Sequence, residues 1–323
     1  MQRKILTLPL LLIFSLLAAC TTAETQPPAQ PTSAPTDTAA PVSEAISLTD
    51  GRGVAVELEG PAQRIISLAP SNTEILFAVG AGEQVIGRDS FSDYPAEALA
   101  ITDIGGGFGE LDIETLLSLE PDLVLSADII APEQNQALVE LGLPVFVLPN
   151  PVELDGLYTN LDTVGALTGQ PQAAAEAAAA LQARVDAVLQ EVAAARDRPL
   201  VFYQLDSSDP NAPWTSGPGT FIDTLIKMAG GENVGDSLDG AWAQISVEAL
   251  IAQNPDVILM GDALYSGLTS QDVAARPGWD AIVAVQSGQI YEFDDNLASR
   301  PGPRLVDGLE QIARLLHPDL FKE

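Results

Sequence analysis

Short apolar runs alternate along this chain with longer segments in which apolar positions return every three or four residues. The runs at 54–58, 64–68, 85–88, 145–148, 200–205 and 289–293 predict strands, and the segments at 71–79, 132–141, 153–168, 220–229 and 303–316 predict helices. Strands alternating with helices along the chain favour parallel sheets with helices on both faces. Ser71-Asn72-Thr73-Glu74 has the spacing of a capping box and Gly80 is placed to end that helix. A helix would then begin where the strand at 64–68 stops, the place where ligands of α/β folds gather.

The longest periodic segment is QPQAAAEAAAALQARVDAVLQEVAAARDRP, residues 170–199. It is rich in strong helix formers, Pro171 is tolerated in a first turn, and Pro199 stops the element, so a helix is expected from about Gln172 to Arg196. Its length would be on the order of 37 Å. Leu181, Val185, Val188, Leu189 and Val192 make one apolar stripe, while Glu176, Arg184, Asp186, Glu191 and Arg196 fall elsewhere. The competing reading, an Ala-rich linker, lacks such a stripe.

One motif stands on each side of this helix. LDIETLLSLEPDLVLS at 111–126 aligns with QISVEALIAQNPDVILM at 244–260, pairing Glu114 with Glu248, Leu116 with Leu250, Pro121 with Pro255, Asp122 with Asp256 and Leu125 with Leu259. Each copy reads as a short helix capped by Asp112 or Ser246, stopped at the proline, then a buried strand. Six residues before each glutamate stands an aromatic, Phe108 or Trp242. The fold class that follows is α/β, with two doubly wound lobes of parallel-type sheets joined by one long rigid helix. The lobes are expected at 51–169 and 199–323, with the connecting helix within 170–198.

The ends of the chain change the picture of where it works. Arg3 and Lys4 precede an apolar run, and Leu17-Ala18-Ala19-Cys20 follows. This is a lipoprotein-type secretory signal over 1–19, its run too short for a comfortable membrane span, with Cys20 as the lipid acceptor. The competing reading is an ordinary leader cut elsewhere. Cys20 is the sole cysteine, so no internal disulfide forms. Residues 20–50, mostly Thr, Pro and Ala, read as a flexible tether. With 323 residues, 46% of them hydrophobic, the remainder suffices to build two cores. The formal net charge of −31 argues against nucleic acid and against adhesion to anionic lipid, and it reads mainly as a solvated surface.

Candidate catalytic chemistry is sparse. His317, the single histidine, directly precedes Pro318 and reads as a helix-terminal residue. No His and Cys cluster has metal-ligand spacing, and the glycine run at 105–109 fits neither a phosphate loop nor a dinucleotide fingerprint, which leaves a flexible cleft loop. Neither an enzyme nor an intrinsic cofactor is expected. Glu114 and Glu248 occupy equivalent first-turn positions, where a carboxylate complements the helix dipole by about 0.3 to 1 kcal/mol. Phe108, Trp214 and Trp242 fall outside the periodic segments, in loops. Each is open to a core-covering role, but rings from two related lobes would also grip a flat ligand between them.

From about Arg64 to His317 the chain resembles the substrate-binding proteins of bacterial ABC importers for cobalamin, ferric siderophores and haem, whose two lobes are joined by one long helix. The resemblance rests on RIISLAPSNTEILFAVG, the SFSDYP loop, both repeats and the ending RPGPRLVDGLEQIARLLHP. It is closest to the cobalamin binders, although Phe108 stands where those carry Trp. The resemblance implies ligand contacts from Phe91, Asp93 and Tyr94 of the SFSDYP loop, from Trp214 and from Arg300, beside Phe108 and Trp242. It also implies that Glu114 and Glu248 dock on arginines of an importer permease, which works with its ATPase. The expected protein is an extracytoplasmic monomer held at the membrane through lipidated Cys20. Its transported ligand is cobalamin first, a ferric siderophore second and haem third, Tyr94 being a possible ligand of haem iron. A structural surface lipoprotein without a cleft is the remaining alternative.

Overall fold

A computed structural model describes residues 45–107 and 109–322. The leader, Cys20, most of the tether and Phe108 lie outside the described residues. The first lobe opens with an antiparallel hairpin, β1 (Ile46–Thr49) and β2 (Ala55–Leu58). There follow β3 (Ile65–Ser67), α1 (Pro70–Ala78), β4 (Val85–Arg88), β5 (Thr102–Asp103), α2 (Ile113–Ser118), β6 (Leu123–Ala127), α3 (Pro132–Glu140), β7 (Val145–Leu148) and α4 (Leu154–Thr168). The long helix is α5 (Pro171–Val192). The second lobe comprises β8 (Leu200–Gln204), β9 (Trp214–Ser216), α6 (Phe221–Met228), β10 (Glu232–Asn233), β11 (Trp242–Gln244), α7 (Val247–Gln253) and β12 (Val257–Met260). It ends with α8 (Ala263–Ser266), α9 (Ser270–Ala274), α10 (Val283–Ser287), β13 (Ile290–Glu292), α11 (Asn296–Ser299) and α12 (Leu305–Leu316).

Both main sheets are parallel. The first has the order β5-β4-β3-β6-β7 and the second β10-β8-β12-β13. In each, the chain starts near the middle, builds to one side, then crosses and builds to the other. The direction of winding therefore reverses between β3 and β6, and again between β8 and β12. Crevices open at the carboxyl ends of strands at such switch points.

Strand residues alternate between two cores. Ile65, Leu123 and Leu125 face one apolar cluster, while Ile66 and Val124 face another on the opposite side of the sheet. In the second lobe Val201, Tyr203, Val257 and Leu259 join the first of these clusters, and Phe202, Ile258 and Met260 face a third. One core is thus shared: it runs from α4 through Val185 and Val188 of α5 to Leu225 of α6 and Leu309 and Ile312 of α12. Arg184 of α5 adds ion pairs to Asp307 at 2.6 Å and Glu310 at 2.8 Å on α12. A helix of about 33 Å bedded on both lobes in this way resists bending.

The two repeats do the same work in both lobes. Asp112 accepts from Thr115 N–H and Ser246 from Ala249 N–H, each capping its helix. Leu116 and Leu250 are fully buried. Asp122 accepts from the N–H groups of Gln63 and Arg64, and Asp256 from that of Leu200, so each tethers the start of the adjacent central strand. Glu120 and Asn254, directly before the prolines, share a left-handed backbone with φ of 46° and 53°. The following proline disfavours a helical conformation there, and the chain turns the other way.

Four expectations need correction. α1 is not capped by Ser71: Pro70 occupies the first turn, the cap position is Ala69 without a side-chain bond, and Glu74 is drawn away to Arg304. Trp214 and Trp242 are not in loops but on an antiparallel ribbon, β9 with β11, whose three-residue strands are too short to read as a period. α5 ends at Val192, four residues before Arg196, as the N–H groups of Ala194 and Ala195 tighten onto Glu191 and Val192. The tether does not extend to residue 50, because Ile46 and Leu48 pair with β2 and pack on the shared core.

Candidate functional site

At the switch point of the first lobe the carboxyl ends of β3, β4, β6 and β7 surround a cavity of about 240 Å³. Asn72 on α1 donates to the carbonyls of Leu125 and Ser126 at 3.1 and 2.9 Å, fixing the helix start against β6. Asp89, after β4, is fully buried. Its carboxylate accepts from Phe91 N–H at 2.8 Å and from the Ser92 hydroxyl, and burial pushes its pKa up against the pull of those bonds and of Arg300. Ser92 shares a hydrogen bond of 2.8 Å with Thr73, which donates to Ser67. This buried chain fixes the turn that projects Phe91 into the cavity wall. Gly107 lies against the Phe91 ring: its φ is +69°, and a Cβ there would meet the ring at 2.3 Å. The glycine run is thus a left-handed turn that leaves room for a ring.

The second lobe closes one side of the same cavity with Ser299, Arg300 and Pro301. These follow the carboxyl end of β13, and Asp295 anchors them by accepting from Tyr203 at 2.6 Å and from Ser299 at 2.7 Å. Burial raises the Asp295 pKa despite those bonds. Arg300 pairs with Asp93 across the lobes at 2.5 Å; partial burial opposes it, but the guanidinium holds the Asp93 carboxyl below its usual range. Arg304 pairs with Glu74 of α1 at 2.7 Å, and its guanidinium lies 4.2 Å from the centre of the Tyr94 ring. Gly302 lets the chains approach, since a Cβ there would stand 3.0 Å from Glu74 Oε2.

The switch point of the second lobe is polar. Asp262 is fully buried and accepts from Gln204 at 2.7 Å and from Ser207 at 2.5 Å; Arg276 donates to Gln204 at 2.7 Å and stacks on Trp279. Tyr265, after β12, donates to the Leu205 carbonyl, and burial raises its pKa. The β9–β11 ribbon springs from this edge, with Trp214 bonded through its backbone to Leu205 and Asp206. Because Trp214 lies opposite Gln244 and Trp242 opposite Ser216, both rings stand on one face as a diagonal pair. Trp242 is 49% exposed.

Of the residues singled out in the sequence, Phe91 and Arg300 meet at the cavity, with Asp93 held on Arg300. Tyr94 lines a neighbouring groove between α1, α5 and α12. Trp214 and Trp242 stand on the ribbon, and Phe108 and Cys20 are outside the described residues. Glu114 and Glu248 are exposed in the first turns of α2 and α7. Each helix runs back antiparallel to the strand it feeds, so both carboxylates lie on the carboxyl-edge side of their sheets. Sequence reading passed over Asp89, Ile129, Tyr265 and the Glu74–Arg304 pair. The signal for Ile129 and Tyr265 was an apolar residue just after the strand of each repeat; they are 64% and 63% exposed. Among the described residues no group of His, Cys, Asp and Glu is arranged to hold a metal ion. The arrangement offers stacking rings and fixed polar groups, which suits capture of a ligand.

The family model for periplasmic binding proteins matches residues 65–297. An ABC transporter substrate-binding lipoprotein of Bacillus subtilis, YvrC, is 28% identical over 86% of this chain and 87% of its own length. A cobalamin-binding protein of Halobacterium salinarum is 30% identical over 90% of this chain and 78% of its own. Among solved structures, the apo form of the periplasmic haem-binding protein RhuT from Roseiflexus sp. RS-1 matches with a TM-score of 0.72 at 28% identity, covering 80% of this chain and 99% of that one.

Proposed function

This chain belongs to the periplasmic binding protein family, and from that premise we propose that it captures cobalamin between its lobes and delivers it to an importer permease. It is a substrate-binding protein of the ABC-importer class that carries cobalamin, haem or a ferric siderophore, and it is not an enzyme. The observation that carries the reading is the union of both lobes at one cavity, with Phe91 and Arg300 on its wall. Trp214, Trp242 and Tyr265 expose further rings on the second lobe. A corrinoid, whose metal is satisfied by its own macrocycle, needs such rings and polar groups and no protein ligand set. Similarity to a cobalamin-binding relative supports this choice.

Glu114 and Glu248 serve as the paired contacts with the permease. They are exposed, equivalent and on the cleft side of each lobe, and no ion pair engages either among the described residues. Cys20 carries the lipid that holds the protein outside the cell membrane; no helix of the described residues is long and apolar enough to cross one. The test of the ligand reading is Trp242→Ala, which weakens cyanocobalamin binding by about 1–3 kcal/mol if the ring lies on the ligand. Unchanged affinity in a folded variant would return Trp242 to a covering role and remove the ribbon from the site.

A further inference from the structure

The charges around the cleft bear on what it admits. Among the described residues the cavity wall carries one cation, Arg300, and one carboxylate, Asp89. Arg300 is already paired with Asp93 at 2.5 Å, and its side chain is largely covered. The neighbouring cations are occupied too. Arg304 is on Glu74 and stacked over Tyr94. Arg88 donates to the carbonyls of Ala98 and Asp89 and lies 3.5 Å from Asp103. Arg276 is bound to Gln204 and stacked on Trp279. Beyond the cleft the whole chain carries a formal charge of −31, whose field repels anions on approach.

We propose that the cleft selects an electroneutral or cationic ligand and discriminates against anionic chelates, with the Asp93–Arg300 pair as the element that sets this preference. Asp93 bonds Nη1 of Arg300 and neutralises the guanidinium, so an anion that approaches the remaining nitrogens meets no net positive charge and has a carboxylate beside it. A neutral ligand leaves the pair intact and gains by stacking and burial. The inference rests on the reading that this cavity belongs to the ligand site, and it holds whichever neutral ligand occupies it.

The experiment is a titration of the mature protein at low ionic strength with four probes. Two are neutral, cyanocobalamin and a ferric trihydroxamate; two are anionic, haemin with its two propionates and a trianionic ferric tris-catecholate. At least one neutral probe is expected to bind about tenfold or more tightly than either anionic one. Asp93→Asn, which leaves Arg300 unpaired, is expected to raise the ratio of haemin to cyanocobalamin affinity by about tenfold. If the trihydroxamate binds and cyanocobalamin does not, the cobalamin reading fails while the charge preference stands. If cyanocobalamin binds and haemin binds equally well, the cobalamin reading stands and the charge preference is overturned. Binding by neither neutral probe overturns both. A wild-type haemin affinity that falls tenfold in Arg300→Gln also overturns the proposal, because Arg300 would then already serve as an anion receptor.

Discussion

Replacing Arg304 by Met removes the cation that joins the second lobe to α1 while keeping a side chain of similar reach. In the native protein the Glu74 side chain is 1% exposed and that of Arg304 12%, with 2.7 Å between them. The substitution leaves a buried carboxylate whose Oε2 already has no hydrogen-bond partner. Breaking a buried pair from one side costs about 3–5 kcal/mol. Loss of the stacking on Tyr94 adds about 0.5–1 kcal/mol. At roughly 2 °C per kcal/mol for a chain of this size, the melting temperature at neutral pH falls by about 7–12 °C. The deficit depends on pH. Burial raises the Glu74 pKa above 4.5 even with Arg304 beside it, so above that value the folded state holds the proton more tightly than the unfolded one. Stability from this group is therefore complete below 4.5 and is lost as pH rises through the raised value. Arg304 is what restrains the rise, so its removal extends the window upward, and the deficit shrinks as pH falls toward 4.5. Thermal unfolding at neutral and mildly acidic pH measures this, with Glu74→Gln/Arg304→Met recovering most of the loss. A fall of under about 2 °C at neutral pH, or one that does not change with pH, would refute the account of the pair.

Other outcomes follow from the same structure. Leu116→Ala and Leu250→Ala, at equivalent buried positions, should each cost about 2–5 kcal/mol by denaturant unfolding. Glu114→Ala and Glu248→Ala should cost at most about 1 kcal/mol. Reversal of both glutamates to Lys should leave ligand binding intact and nearly abolish transporter-dependent uptake; normal uptake by a folded, ligand-competent double variant ends the docking role. Cys20→Ser should release the protein from membranes without changing ligand affinity, and a variant still wholly membrane-bound on fractionation contradicts lipidation.

The sequence showed most clearly what is local or repeated. α2 and α7 could be placed because caps, buried leucine, proline and aspartate recur at one offset and perform the same bonds in both lobes. The long helix was legible from its stripe, of which Leu181, Val185 and Val188 are buried. What escaped depends on distance along the chain. Arg300 meets Asp93 across 207 positions and Arg304 meets Glu74 across 230, and nothing near Glu74 hints that it leaves the helix start for an arginine. The ribbon bearing Trp214 and Trp242 escaped because each strand is three residues long and is held by its partner, not by any pattern of its own. The turn at Asp89 looked like a polar loop, yet its carboxylate is buried to hold Phe91 in place.

The central claim is that both lobes hold one ligand at the cavity between the strand ends of the first lobe and Ser299, Arg300 and Pro301 of the second. Equilibrium dialysis of the mature protein against cyanocobalamin, followed by absorbance, tests it directly. The account predicts saturable binding of one corrinoid per chain, weakened in Trp242→Ala. A folded protein that retains no corrinoid at saturating concentration would contradict it.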